Sequence, residues 1–144
     1  MKLMHFADLH LDAPFAWAPP EAARLRRRNR RESLTRILEL ASQERCDAIL
    51  SAGDLFEVDR VRPDTLEFLR SAFAEVAIPV YLAPGNHDWL SSASPYLTVE
   101  WPANVHVFTQ ARRFKGTRDY KTDVILTPPV GASALITTRS GAIY

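Results

Sequence analysis

The 144-residue sequence has one cysteine, a nearly balanced charge and no long apolar run, and each shortage excludes a class of protein. Cys46 alone cannot form an internal disulfide, which is compatible with a reducing compartment. No stretch approaches the roughly 20 apolar residues of a membrane span, and the N-terminus lacks the apolar run and cleavage site of a signal peptide. We therefore expect a cytoplasmic protein with no membrane partner.

The sequence also has almost no excess of one charge over the other, since 18 basic and 17 acidic residues leave a formal charge of +1. No global field therefore selects nucleic acid or a membrane. Positive charge is concentrated in residues 24–31, RLRRRNRR, which contain six arginines. On one helix face these arginines could contact several phosphates. No aromatic residue interleaves the run as a base-stacking platform, so a solvated helix face is the stronger interpretation.

What the sequence does contain is an alternation of short apolar runs and helical patterns. With 47% hydrophobic residues, a chain of this length fits one domain and could bury roughly two-thirds of its unfolded surface. The alternation predicts a mainly parallel α/β sheet, whose strand ends are where ligands gather. The predicted strands are 2–7, 48–52, 80–83 and 104–108, and the predicted helices are 21–45 and 63–75.

Polar clusters follow three of the predicted strands: DLH at 8–10, GD at 53–54 and GNHD at 85–88. Neighbouring parallel strands lie about 4.8 Å apart, so these groups can converge on one small volume. Carboxylate, imidazole and amide ligands suit Mn²⁺, Fe²⁺ or Zn²⁺. Each motif alone has a structural explanation as a turn or a cap. Their recurrence at successive strand ends favours a metal site.

The segments HFADLHLD, LSAGDLFE and LAPGNHDW resemble the first three motifs of the calcineurin-like metallophosphoesterases. Less specific features, including the arginine-rich helix, resemble those of DNA repair exonucleases of the SbcD type. The resemblance covers residues 1–110, the N-terminal portion of such a domain. It implies an incomplete α/β fold of sheet and helix layers, the N-terminal half of an αββα sandwich. Residues 111–144 remain an unassigned tail, outside the family pattern or truncated.

The same resemblance implies a site for two divalent ions, with Mn²⁺ favoured over Fe²⁺, Zn²⁺ or Mg²⁺. The ions would lower the pKa of a water that attacks phosphorus in line. His87 would steady the developing charge or protonate the leaving oxygen, and Asp88 would orient that imidazole or raise its pKa. The implied metal ligands are Asp8, His10, Asp54 and Asn86, with Asp54 bridging both ions, and the implied catalytic residues are His87 and Asp88.

The sequence departs from the family pattern in its histidines, because an isolated later histidine and a Gly-His-x-His motif are both missing. Its four histidines are His5, His10, His87 and His106, and we interpret His5 and His106 as structural. The second ion would keep only Asp54 and Asn86, although such ions usually take at least four ligands. The second site is therefore expected to be weak.

The resulting hypothesis is a divalent-metal-dependent phosphoesterase of a DNA exonuclease lineage, acting on a phosphodiester by two-metal hydrolysis. The resemblance also implies an ATPase partner or a homodimer as candidate assemblies. Two alternatives stay open. The chain could be a catalytically incomplete fragment that binds an ion or a partner, or a nucleic-acid-binding module that uses the arginines without cleavage. Tested alone, the chain is expected to be weak or inactive.

Overall fold

The computed structural model describes residues 1–109, 111–113 and 124–126, and most of the predicted tail lies outside these residues. Four strands and two long helices alternate through the first part of the chain, as the sequence predicts. The elements are β1 (Leu3–Phe6), α1 (Pro20–Gln43), β2 (Ala48–Ala52), α2 (Pro63–Ala74), β3 (Val80–Ala83), α3 (Pro95–Thr98), β4 (Val105–Val107), β5 (Ala111–Arg113) and β6 (Val124–Leu126).

The sheet follows the order β1-β2-β3-β4, and every neighbouring pair is parallel. This arrangement confirms the predicted α/β class. The backbones of β5 and β6 pair separately as an antiparallel ribbon. No helix among the described residues is both long enough and apolar enough to cross a membrane.

The core lies between the sheet and the two long helices. Ile49 and Val80 are opposite each other on β2 and β3 and are fully buried, as are Leu34 of α1 and Leu69 and Phe73 of α2. Burying a side chain of this size contributes about 1.5–3 kcal/mol. The apolar stripes that predicted the helices therefore account for their packing onto one face of the sheet.

The other face of the sheet is less covered. Register places His5, Leu50, Tyr81 and His106 in one row across the four strands, and none of them is buried. His106 stacks on Tyr81 with ring centroids 5.1 Å apart, which agrees with a packing role. His5 lies at the end of the same row and is exposed, and its structural role stays a prediction. Within the described residues, the four-stranded sheet thus has its two long helices on one side, and β5 and β6 form a separate ribbon.

The helix boundaries have local causes. Both long helices begin with a proline, whose fixed φ suits the first turn. The missing N–H of proline costs nothing at this position, because the first amides of a helix have no acceptor within the helix. α1 ends two residues before the predicted end because Arg45 adopts a left-handed φ of 52°. The amide of Cys46 then donates to the Ala41 carbonyl, which closes the helix end and turns the chain toward β2.

Candidate metal centre

The loops that follow β1 and β2 run side by side beyond the sheet. The amide of Asp8 donates to the Gly53 carbonyl (3.2 Å), and the amide of His10 donates to the Asp54 carbonyl (2.8 Å). A further parallel bridge joins Leu11 to Phe56. Because the pairing continues past the strands, two predicted ligands of the first loop are held against Asp54 of the second.

The loop after β3 joins the same assembly. The amide of His87 donates to Oδ1 of Asp54 (2.8 Å), and its carbonyl accepts from the amide of Val58 (3.0 Å). The backbones of Gly53 and Gly85 approach so closely that a Cβ on Gly53 would lie 2.9 Å from the Gly85 Cα. A Cβ on Gly85 would collide with Asp54 itself. Glycine is therefore required at both positions for the three loops to meet.

Three of the predicted ligands have unusual backbone conformations. Asp8, His10 and Asp54 have φ values of 58°, 44° and 53°, in the left-handed region that most non-glycine residues avoid. Such residues cost of order 1–3 kcal/mol each and persist where the surrounding structure imposes them, often at functional sites. The backbone hydrogen bonds between the loops supply that constraint here.

The same three residues bring their polar atoms together. Asp8, His10 and Asp54 each offer one ligand atom, and these atoms lie within 4.8 Å of one another. Nε2 of His10 is 3.8 Å from Oδ1 of Asp8, too far for a hydrogen bond. The Asp8 side chain is 72% exposed. The three groups therefore converge without satisfying each other, as expected for ligands of a cation.

Glu57 organises the two imidazoles of the site. Its Oε1 lies 2.8 Å from Nδ1 of His10, and its Oε2 lies 3.0 Å from Nδ1 of His87. Burial opposes ionisation of Glu57, but the hydrogen bonds from His87 and His10 outweigh it and hold the pKa of Glu57 below its ordinary value. An ionised carboxylate only accepts hydrogen bonds, so each imidazole carries a proton on Nδ1. Nε2 of His10 is then available to a metal ion.

His87 and Asn86 lie on the exposed side of the site. The hydrogen bond that the His87 ring donates to Glu57 raises the pKa of His87, and the charges of Glu57, Asp54 and Asp88 add to this effect. The His87 side chain is 46% exposed, and its ring meets that of His10 edge-on with centroids 4.7 Å apart. Asn86 is exposed between Gly85 and His87, whose amides are both hydrogen-bonded to carboxylates.

Asp88 occupies a different position from the one expected of a residue that orients His87. Its carboxylate is completely buried and accepts hydrogen bonds from three backbone amides and the Tyr96 hydroxyl (2.6 Å). The amide donors are Asp54, Leu55 and Gly85. Glu57, and not Asp88, is the hydrogen-bond partner of the His87 ring. The contact with Asp88 and the burial of the ring raise the pKa of Tyr96 well above its ordinary value, with burial the larger cause.

The sequence alone predicts no role for Glu57, although the residue lies in the segment LSAGDLFE. The available signal was a carboxylate three residues after Asp54, on the loop that lies against both histidines. That signal is weak because an acid in a loop is usually solvated. Only the paired geometry at 2.8 and 3.0 Å identifies Glu57 as a positioning residue.

Two overlapping groups in the described residues could hold a divalent ion, and their hydrogen bonding separates them. In the group of His10, Glu57 and His87, the polar atoms already satisfy one another. In the group of Asp8, His10 and Asp54, the ligand atoms face one another without hydrogen bonds between the side chains. Carboxylate oxygens with one imidazole fit Mn²⁺, Fe²⁺ or Zn²⁺. The second group is therefore the better cation site.

Comparison with known proteins gives the site its context. A model of the calcineurin-like phosphoesterase family matches residues 1–137. An uncharacterized metallophosphoesterase, YhaO of Bacillus subtilis (strain 168), is 37% identical over 118 residues, which are 77% of this chain and 28% of that protein. The DNA double-strand break repair protein Mre11 of Aeropyrum pernix is 35% identical over 91 residues, which are 60% of this chain and 21% of that protein.

The chain spans about a quarter of the length of these curated relatives. The family match extends beyond residue 110, into the predicted tail of residues 111–144. The convergence of acids and imidazoles at the strand ends agrees with a family whose members bind divalent metals. This chain belongs to the calcineurin-like phosphoesterase family.

Proposed function

We propose that this chain contributes the N-terminal part of a divalent-metal-dependent phosphodiesterase of a DNA nuclease lineage. The observation that carries the proposal is the convergence of Asp8, His10 and Asp54, whose ligand atoms lie within 4.8 Å of one another at the ends of two parallel strands. Family membership supports phosphoester hydrolysis in general. The similarity to an Mre11 protein named for DNA double-strand break repair favours DNA as the substrate.

The proposed ligands are divided between two ion positions. Asp8 and His10 would hold a first ion together with Asp54, and Asn86 would join Asp54 at a second ion. Such ions polarise a phosphoryl oxygen and make a water more acidic. Oδ1 of Asp54 already accepts the His87 amide, which fixes the orientation of the carboxylate shared by the two positions. Mn²⁺ is the ion we propose first, with Fe²⁺, Zn²⁺ and Mg²⁺ as alternatives.

His87 is the proposed proton donor to the leaving oxygen. Glu57 accepts the Nδ1 proton of His87 and thereby directs Nε2 away from itself. The raised pKa keeps more of the imidazole protonated near neutral pH, which favours proton donation in the transition state. Asp88 would serve this step indirectly, by holding the amides of Asp54 and Gly85 in place beneath the site.

A second candidate function is a module that binds one ion and catalyses no reaction. The sequence favours this alternative because it has no histidine after His106, so Asn86 is the one ligand proposed for the second ion beyond the shared Asp54. Two ligands fall short of the four or more that such ions take. An ATPase partner or a homodimer stays a prediction carried over from the family resemblance.

The two functions are separated by titrating Mn²⁺ into the 144-residue protein calorimetrically and assaying hydrolysis of bis(p-nitrophenyl) phosphate. The phosphodiesterase predicts Mn²⁺-dependent turnover that Asp54→Asn abolishes. We expect the same substitution to weaken Mn²⁺ binding by about 100-fold or more, since even loss of an outer hydrogen-bond partner costs 10- to 100-fold. Asp59→Asn, which changes an exposed acid five residues along, is the matched control and should leave both measurements unchanged.

One Mn²⁺ per chain without turnover would favour the one-ion module. Unchanged Mn²⁺ affinity in Asp54→Asn would contradict both functions, because each places Asp54 at the first ion.

A further inference from the structure

We propose that Trp17 and Arg26 form a stacking site for a base of an unpaired DNA strand beside the candidate metal centre. The inference rests on the proposed function and deepens it, because it names the part of the substrate held next to the cleaved phosphodiester. Four residues carry it, called here the aromatic–arginine cluster: Phe15, Trp17, Arg26 and Arg30.

The cluster joins the loop between β1 and α1 to the second and third turns of α1. The guanidinium carbon of Arg26 lies 4.7 Å from the Trp17 ring centroid and 5.8 Å from that of Phe15. The guanidinium carbon of Arg30 lies 4.6 Å from the Phe15 centroid. All three distances are within the range of cation–π contacts. The arginine run does have aromatic partners, but they come from the preceding loop and not from within the run.

The indole of Trp17 is largely open to solvent. Trp17 is 73% exposed, so burial in the core does not explain its presence. The Arg26 guanidinium covers part of the ring and brings a positive charge to it. Aromatic rings with neighbouring arginines are the groups on which single-stranded nucleic acids stack their bases, whatever the sequence. An exposed indole backed by a guanidinium therefore fits a nucleobase better than it fits a structural role.

The cluster is attached directly to the loop of the metal ligands. Nη1 of Arg30 donates a hydrogen bond to the His10 carbonyl (2.5 Å) while its guanidinium lies over Phe15. Burial of Arg30 lowers the pKa of its guanidinium, an effect that the nearby Glu57 opposes. Phe15 adopts a φ of 49°, which is rare for a bulky residue and indicates a loop held in place by its contacts. A base on Trp17 and a phosphate at the metal ligands would thus lie on one connected surface.

The arginine charges are divided between the two sides of α1. Arg28 pairs with Glu32 (3.3 Å) and Arg31 pairs with Asp64 (2.7 Å). Within residues 1–109, Arg26 and Arg30 form no salt bridge with a carboxylate, and they lie four residues apart on the side that faces the aromatic loop. The positive charges of Arg26 and Arg30 therefore lie beside Trp17 and Phe15, where they would attract the phosphates of a bound strand.

The test measures the affinity of the 144-residue protein for a fluorescent oligothymidylate and for an abasic oligonucleotide of equal length, by anisotropy in EDTA. We expect Trp17→Ala to weaken oligothymidylate binding by about tenfold, and Trp17→Phe to retain most of the affinity because it keeps a ring. Abasic binding should be the same in all three proteins. Arg26→Ala should weaken oligothymidylate binding more than Arg28→Ala, which removes the same charge from the same helix.

Equal affinities of wild type and Trp17→Ala for oligothymidylate would overturn the proposal. It would also fail if abasic binding fell in parallel, or if Arg26→Ala and Arg28→Ala had equal effects, since charge alone would then explain binding. The Mn²⁺ affinity of Trp17→Ala should match that of wild type. A wild-type protein that binds oligothymidylate through Trp17 but neither binds Mn²⁺ nor hydrolyses a phosphodiester would contradict the proposed function and leave the stacking site standing.

Discussion

Asp88 and Asp8 both follow strands of the same sheet, yet their carboxylates have opposite surroundings. Asp88 is completely buried and accepts four hydrogen bonds, from three backbone amides and Tyr96. The Asp8 side chain is 72% exposed and faces His10 and Asp54 without hydrogen-bonding to them. The site thus has two layers. In the buried layer, the carboxylate of Asp88 is fully hydrogen-bonded; in the exposed layer, which also contains His87, the side chains of Asp8, His10 and Asp54 face one another without hydrogen bonds between them. The first positions the loops, and the second is open to a ligand.

The largest expected effect tests the buried layer. Asp88→Ala should lower the free energy of unfolding by about 3–5 kcal/mol, because it leaves two buried and two partly buried donors without an acceptor. Asp8→Asn removes a charge from the exposed layer, keeps a residue type that tolerates the left-handed φ of this position, and should change stability by less than about 0.5 kcal/mol. Urea denaturation of the metal-free proteins measures both. Equal losses in the two variants would show that the layers do not differ in the way the hydrogen bonds indicate.

A smaller effect isolates one contact of the buried layer. Tyr96→Phe removes the hydroxyl that donates to Asp88 and should cost about 1–2 kcal/mol, with little change in packing volume. Tyr81→Phe is the matched control, since the Tyr81 hydroxyl makes no hydrogen bond within the described residues. The free energies of unfolding of the two variants are compared from their urea midpoints, with the dependence of free energy on urea concentration taken as equal. If Tyr81→Phe were as destabilising as Tyr96→Phe, the contact with Asp88 would contribute nothing specific.

The sequence predicted the strands well because each is a short apolar run that ends at polar or turn-forming residues. β2 and β3 begin and end at the predicted residues, and α2 begins at the predicted Pro63. The polar motifs at the strand ends indicated which loops would form the site, since parallel strands bring their carboxyl ends to one edge. Short α3 (Pro95–Thr98) was not predicted, because four residues make too little pattern to detect.

The division of the site into layers could not be predicted in the same way. Asp8, Asp54 and Asp88 are the same residue type in similar sequence settings, and only the fold decides which carboxylate turns inward to Tyr96. Glu57 was missed for a related reason, since its partners His10 and His87 are 47 and 30 residues away in the chain. Contacts of this separation depend on how the loops meet, which local patterns do not encode.

The smallest expected effect concerns protons in the exposed layer. Glu57 raises the pKa of His87, so in the metal-free protein the folded state binds that proton more tightly than the unfolded chain does. The resulting stabilisation is fully present below the ordinary pKa of histidine and is lost as pH rises through the raised pKa of the folded state. Glu57 has a lowered pKa, so its own contribution is present above the ordinary pKa of glutamate and is lost as pH falls through the lowered value.

Glu57→Gln should therefore lower the pKa of His87 toward its ordinary value, because the substitution removes both the charge and the carboxylate acceptor of the Nδ1 proton. Titration of the His87 ring signals by NMR in metal-free protein measures this shift. Glu39→Gln removes an equal charge from an exposed position on α1 and should leave the His87 titration in place. A His87 midpoint that is the same in Glu57→Gln and wild type would mean that Glu57 does not hold the imidazole in solution. The exposed layer would then lack the hydrogen bond that prepares His87 for proton donation.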